Sequence, residues 1–79
     1  MKLLVRNLSR ATTEHELRIL FAEHGKVTTC NLVLDKETGQ SKGFAFVEMP
    51  NDIEVKAAIN ALNQTSVDKS KIRVKLADA

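Results

Sequence analysis

Hydrophobic and polar positions change their spacing several times along the chain, and each change marks a predicted element. Loose alternation rich in Leu and Val predicts a first strand over Lys2–Leu8. The β-branched, apolar stretch 26–34 predicts a second strand, and 43–49 predicts a third that Pro50 ends. The segment KIRVKL (71–76) alternates basic and apolar residues, which predicts a fourth strand.

Two segments between these strands repeat apolar residues at helical spacing. In TTEHELRILFAEHG (12–25), Thr13 and Glu16 are spaced as a capping box and Gly25 is a helix stop. A second helix begins after Asn51 or Asp52, either of which can cap it. The two apolar stripes are Leu17, Leu20 and Phe21 in the first helix, and Val55, Ala58, Ile59 and Leu62 in the second.

The order strand-helix-strand therefore occurs twice, joined by a polar hairpin loop over 35–42. Two such units predict an α/β (α+β) sandwich of the ferredoxin-like βαββαβ type. In it, a four-stranded antiparallel sheet carries both helices on one face. Seventy-nine residues are enough for one core, so we expect a single domain over 1–79.

Alternation also assigns each strand residue to a face of the sheet. A register slip of one residue would exchange the faces, and in the fourth strand it would bury three cations, which is too costly. The helices should cover Leu3, Val5, Leu8, Cys30, Leu32, Ala45, Val47, Met49, Ile72, Val74 and Leu76. The open face should carry Leu4, Arg6, Asn31, Val33, Phe44, Phe46, Glu48, Lys71, Arg73 and Lys75, with Lys42 at its rim.

Charge is distributed unequally between the two sides. The whole chain has 12 Lys and Arg against 10 Asp and Glu, a net charge of +2. The open face alone has five cations against Glu48, about +4. Its centre is apolar (Leu4, Val33, Phe44 and Phe46). Rings interleaved with cations suit single-stranded nucleic acid, because bases stack on the rings and phosphates meet Lys and Arg.

Two segments carry a resemblance to a known family. KGFAFVEM (42–49) resembles the ribonucleoprotein octamer of the RNA recognition motif at every fixed place except the last, Met49. LLVRNL (3–8) resembles the hexamer motif on the neighbouring strand. The short chain looks most like the small single-motif proteins of bacteria. The resemblance covers the whole chain and implies the same fold.

The resemblance also implies roles for individual residues. Phe46 would stack under a base, Phe44 would pack against the sugars of two nucleotides, and Lys42 would pair with a phosphate. The second platform of the family is usually aromatic, but Leu4 stands at that position. Since a leucine replaces only part of a base–aromatic stack, we expect RNA binding to be weaker or less selective than in members with three aromatics.

Other chemistry finds little support in the sequence. After the first strand Arg10 stands without the glycines of an anion-cradling loop, and no Cys-x-x-Cys follows. His15 and His24 lie nine residues apart without a nearby cysteine, so no metal site is expected, and no cofactor is implied. Cys30 is expected to be a core residue. A single cysteine suits a reducing, cytoplasmic setting, and no stretch approaches transmembrane length.

The sequence thus predicts a monomeric, non-enzymatic module that binds two to four nucleotides of single-stranded RNA, with single-stranded DNA left open and no role at a membrane. The alternative is a protein–protein interaction module that uses the same face. The predicted binding residues are Leu4, Arg6, Asn31, Val33, Lys42, Phe44, Phe46, Lys71, Arg73 and Lys75.

Overall fold

Two helices and six strands are present within residues 1–77, the part of the chain that the computed structural model describes. They are β1 (Lys2–Arg6), α1 (Glu14–Ala22), β2 (Thr29–Leu34), β3 (Ser41–Glu48), α2 (Asp52–Leu62), β4 (Ser66–Val67), β5 (Ser70–Lys71) and β6 (Arg73–Leu76). One antiparallel sheet has the strand order β2-β3-β1-β6. The predicted ferredoxin-like βαββαβ fold is confirmed. Asp78 and Ala79, the last residues of the predicted domain, lie outside the described residues.

Both helices begin at side-chain caps. The predicted capping box is confirmed: the Thr13 hydroxyl accepts from the Glu16 N–H at 3.1 Å, and the Glu16 carboxylate accepts from the Thr13 N–H at 3.4 Å. Of the two caps considered for α2, Asn51 is the one found. Its side-chain oxygen accepts from two first-turn N–H groups at 2.9 and 3.0 Å. Neither helix in residues 1–77 is long and apolar enough to cross a bilayer.

The core lies between the sheet and the helices, and it matches the predicted covered face except at Leu76 and, in part, at Leu32. Leu76 is 44% exposed. It is the last residue of an edge strand and has a sheet neighbour on one side only, Leu3. Leu32 is only partly buried. The other predicted covered residues are buried: Leu3, Val5, Leu8, Cys30, Ala45, Val47, Met49, Ile72 and Val74.

The predicted fourth strand over 71–76 is wrong at its start. Lys71 belongs to β5, which pairs with β4 in a separate two-stranded sheet. Ile72 then pairs with the preceding link instead of β1: its N–H donates to Thr65 O at 2.9 Å, and its carbonyl accepts from Gln64 N at 2.7 Å. The four-stranded sheet therefore gains its last strand only at Arg73.

The β4–β5 hairpin lies between α2 and β6, where the sequence pattern predicts no strand before Lys71. Its two-residue turn, Asp68 and Lys69, has φ angles of 50° and 69°. Positive φ at both positions is the turn geometry that matches the twist of a tight hairpin. The Thr12 hydroxyl donates to the Asp68 carboxylate at 2.7 Å, which anchors this turn to the loop before α1.

The first strand ends two residues earlier than predicted. Asn7 has a left-handed φ of 59°, and its side-chain amide donates to the backbone oxygen of Lys71 at 2.7 Å. Leu8 returns to the sheet only through its N–H, which donates to Gly43 O at 2.9 Å. Gly43 itself has φ of 88°. There the register of β2 and β3 shifts, so that residues 42–44 lie opposite Val33 alone.

On each outer strand of the sheet, one backbone N–H donates a hydrogen bond to a side chain. The Glu14 carboxylate of α1 accepts from Leu32 N in β2 at 2.9 Å. At the other edge, the Asn63 side chain accepts from Val74 N in β6 at 3.0 Å. Unpaired edge groups are where sheets of separate molecules join, so these two contacts oppose edge-to-edge pairing.

Candidate nucleic-acid interface

A row of four side-chain positions crosses the open face of the sheet at its centre. Phe46 of β3 lies directly opposite Leu4 of β1 on one side and Asn31 of β2 on the other. Leu4 in turn lies opposite Lys75 of β6. We call Asn31, Phe46, Leu4 and Lys75 the middle row. The sheet register thus brings four of the predicted binding residues into one line.

The next row, toward the end of β1, adds an aromatic ring and two more cations. Arg6 is paired with Arg73 of β6. Continuing the register of β1 and β3 places Phe44 beside Arg6. The rings of Phe44 and Phe46 meet edge to face, with centroids 6.2 Å apart and planes at 88°. This contact fixes the two rings relative to each other.

The apolar centre is less exposed than the sequence suggests. Its four members, Leu4, Val33, Phe44 and Phe46, are all only partly exposed, and none is among the large exposed hydrophobic side chains. The cations around them are exposed. The rings are therefore held by their neighbours, while the charges around them reach solvent.

Two cavities open at the end of the sheet where β1 ends. The larger, about 550 Å³, is lined by Arg6, Asn7, Arg73 and Lys75. The smaller, about 310 Å³, is lined by Arg6, Asn7, Leu8, Arg10, Lys42, Gly43 and Phe44. Among residues 1–77, neither lining includes a carboxylate. We call Arg6, Arg10, Lys42, Arg73 and Lys75 the cationic end. Groups of like charge around a hollow favour an anion such as phosphate.

Lys71 does not join these rows, since it lies in β5 outside the four-stranded sheet. It is exposed, and its backbone oxygen holds the side chain of Asn7, which lines both cavities. Lys71 therefore borders the cationic end but stands on a different element from the one predicted.

Two further cations of this face are absent from the sequence-based set. Arg10 lines the smaller cavity although it follows the turn at Asn7, where strand alternation carries no information. Lys2 is paired with Glu48 in the row on the other side of the middle row. Its Nζ lies 5.6 Å from the ring centroid of Phe46, within the range of a cation–π contact. Alternation could have found Lys2, because it is two residues before Leu4.

Cys30 behaves as the core residue that the sequence predicts. It is buried, and its thiol contacts the backbone oxygen of Glu14 at 3.7 Å. Burial raises the pKa of the Cys30 thiol, and the charge of Glu14 raises it further. The thiol therefore stays protonated, which does not suit a nucleophile or a metal ligand.

Comparison with known proteins decides the family. The model of the RNA recognition motif matches residues 3–73. The chain belongs to the RNA recognition motif family. This confirms the resemblance found in the octamer and hexamer segments, both of which lie within the matched residues.

Two of the relatives are close to this chain in length, and a third, solved as a complex, is about twice as long. The putative RNA-binding protein RbpD of Nostoc sp. is 42% identical over 80 residues, covering 92% of this chain and 85% of that protein. The crystal structure of RNA-binding protein PG1 is 34% identical with a TM-score of 0.94, covering 100% of this chain and 96% of that one. A Sxl-lethal protein–RNA complex is 33% identical with a TM-score of 0.93, covering 99% of this chain and 47% of that one.

Many RNA recognition motif relatives are longer than this chain. The chain spans 23% to 45% of the first curated relatives it matches, several of which are named as chloroplastic ribonucleoproteins. The similarity to them therefore concerns one part of those proteins.

Proposed function

We propose that the open face of the sheet binds single-stranded RNA, over two to four nucleotides and without catalysis. The observation that carries this proposal is the middle row, in which an aromatic ring, an apolar side chain, an amide and a cation lie side by side across four strands. Relatives support it, because RbpD is named as a putative RNA-binding protein and the Sxl-lethal structure is a complex with RNA.

Each group of residues has its own part in this binding. Phe46 stacks under one base, and Phe44, fixed edge to face beside it, packs against the sugars that lead to the next nucleotide. The amide of Asn31 lies directly beside Phe46 and can exchange hydrogen bonds with the edge of the stacked base. Val33 extends the apolar surface at the β2 side.

The phosphates of the RNA bind along the cationic end. Lys42 and Arg10 line one cavity beside Phe44, and Arg73 and Lys75 line the other. Arg6 lines both cavities, so it can contact the phosphate that passes between them. Lys71 adds positive charge at the border of this region. Because these contacts go to the sugar–phosphate backbone, they add affinity without selecting a base sequence.

The second base packs on Leu4 instead of an aromatic ring, which lowers the affinity for RNA. A base stacked on an aromatic ring gains about 1–3 kcal/mol, and a leucine returns only the apolar part of that contact. The partly buried Leu4 lies directly beside Phe46, so the platform continues without a gap but with one ring fewer.

An anisotropy titration of labelled RNA and DNA hexamers at two salt concentrations tests the proposal. We expect RNA to bind with an affinity that falls with salt, with a logarithmic slope of about −0.7 for each phosphate contact. Phe46→Ala should cost about 1–3 kcal/mol in RNA affinity, since it removes one stacked base. Ile53→Ala is the matched control, because Ile53 is 79% exposed on α2, away from the sheet.

Two results would contradict RNA binding. A flat salt response would mean that phosphates are not contacted, and equal affinity of the wild type and Phe46→Ala would mean that no base stacks there. Either result would favour the alternative, a protein partner on the same face. Equal binding of the DNA hexamer would extend the ligand to single-stranded DNA without changing the site.

A further inference from the structure

Phe46 has unlike surroundings at its two ends along β3. Toward the end of β1, its neighbours are Phe44 and the cationic end. Toward the start of β1, its neighbours are the paired residues Lys2 and Glu48. Glu48 is the one carboxylate that strand alternation places on the open face among the described residues, and it is partly buried. The ring therefore lies between a region of positive charge and a pair of opposite charges.

This difference orients a nucleotide stacked on Phe46. Its phosphate is attracted to the cationic end and repelled by Glu48, so the sugar and phosphate lie on the Phe44 side. The edge of the base that is remote from the sugar then points toward Lys2 and Glu48. Side chains two positions along neighbouring strands are about 7–8 Å apart at the backbone, within reach of long side chains such as these.

The contact of Lys2 with Phe46 shows that the Lys2 side chain reaches the ring. Its Nζ lies over the ring, 5.6 Å from the centroid. A base that stacks on this face of the ring takes the place of the ammonium. The displaced ammonium then needs a new acceptor at the edge of the base, and a carbonyl oxygen provides one.

Lys2 and Glu48 together match one base best. Guanine presents O6, an acceptor, beside N1–H and N2–H₂, which are donors, along the edge remote from the sugar. An ammonium can donate to O6 while a carboxylate accepts from both N–H groups. Cytosine and adenine each offer only one amino group to a carboxylate. Uracil has no amino group and places carbonyls on either side of its single N–H, so one of them would meet the carboxylate.

We infer that the base stacked on Phe46 is guanine, selected by Lys2 and Glu48 at its edge. This inference rests on the proposed RNA binding and adds the base preference to it. Good two-point contacts between side chains and bases discriminate by about 1–3 kcal/mol. We therefore expect a preference of about tenfold for guanine over uracil at this position.

Hexamers that differ in one base test the preference. The all-uridine hexamer is compared with three hexamers that carry a single guanosine, cytidine or adenosine at the third position, by anisotropy at one salt concentration. The wild type should bind the guanosine hexamer about tenfold more tightly than the all-uridine hexamer. Glu48→Gln and Lys2→Met should each reduce that ratio below about threefold. Glu48→Gln keeps the length of the side chain, Lys2→Met shortens it by one atom, and both remove its charge.

Matched controls separate this effect from a general change of charge. Glu23→Gln and Lys56→Met remove one exposed charge of each sign on the helical side and should leave the ratio unchanged. Glu48→Gln should retain the fold, because Thr28 bonds to the backbone oxygen of Glu48 and not to its carboxylate. Circular dichroism checks the fold of every variant.

Three outcomes would overturn the inference, and they differ from failure of the proposed function. Equal binding of the guanosine and all-uridine hexamers, with Phe46→Ala still weakening both, would leave RNA binding intact and reject the base preference. A guanosine preference that survives in both Glu48→Gln and Lys2→Met would place its origin elsewhere. Binding of no hexamer at all would overturn the proposed function together with this inference.

Discussion

Leu3 and Leu4 are consecutive residues with the same side chain, yet they belong to the two different faces of the sheet. Leu3 is fully buried under the helices, and Leu4 is partly exposed beside Phe46. The same comparison holds along β3, where Ala45 and Val47 are fully buried and Phe44 and Phe46 are not. One alternating pattern thus supplies a core to one face and a binding surface to the other, so neighbouring substitutions should have different consequences.

The largest difference should appear in stability. We expect Leu3→Ala to lower the free energy of unfolding by about 2–5 kcal/mol, because it leaves a cavity in a packed core. Leu4→Ala should lower it by about 1 kcal/mol, since less apolar surface is lost from contact. Urea unfolding followed by circular dichroism measures both. Equal losses for the two variants would mean that Leu4 is packed as tightly as Leu3 and that the two faces do not differ in burial.

The covered face was predictable because strand alternation is a local pattern and because the cost of burying a charge is high. Burying a cation is costly, so the alternation of Lys71, Arg73 and Lys75 in the sequence was enough to exclude the wrong register. The capping box at Thr13 and Glu16 was predictable for the same reason, since both partners lie within one turn. The exposure of Leu76 was not predictable, because it depends on how far the neighbouring elements extend at a strand end.

The open face was predictable only in its centre. The rows around Phe46 follow from strand alternation, and the octamer motif marks them independently. Its margins depend on backbone turns with positive φ at Asn7, Asp68 and Lys69. None of these residues is glycine, the residue type that would indicate such a turn in the sequence. These turns move Lys71 out of the sheet and leave Arg10 beside a cavity. The contacts of long side chains at a margin also depend on the folded structure and not on the sequence pattern alone. The contact of Lys2 with the Phe46 ring is an example.

A smaller effect should follow from restoring the missing ring. Leu4→Phe places an aromatic side chain between Phe46 and Lys75 in the middle row. We expect RNA affinity to increase by about five- to tenfold, because a second base then stacks on a ring instead of a leucine. Anisotropy with the RNA hexamer measures the change.

Leu34→Phe is the matched control for that gain. Leu34 is 50% exposed, but it lines a cavity with Thr12, Thr13 and Glu14 on the side of α1. An added ring there should not change the affinity for RNA. If both variants bound RNA more tightly, general hydrophobic attraction would explain the gain. The gain would then not support a base stacked at position 4.

The smallest effect should come from single charges, and it returns to the comparison of the two sides. The helices α1 and α2 carry four carboxylates against two cations, whereas the open face is rich in Lys and Arg. Arg73 lines the larger cavity of the open face, and Arg18 is exposed on α1. We expect Arg73→Ala to weaken binding equally for all hexamers and to reduce the salt slope by about 0.7, the share of one phosphate contact. Arg18→Ala removes the same charge from the other side and should leave the slope unchanged. If both variants reduced the slope alike, the net charge of the protein would govern its attraction to RNA, and the cavity at Arg73 would have no special part in it.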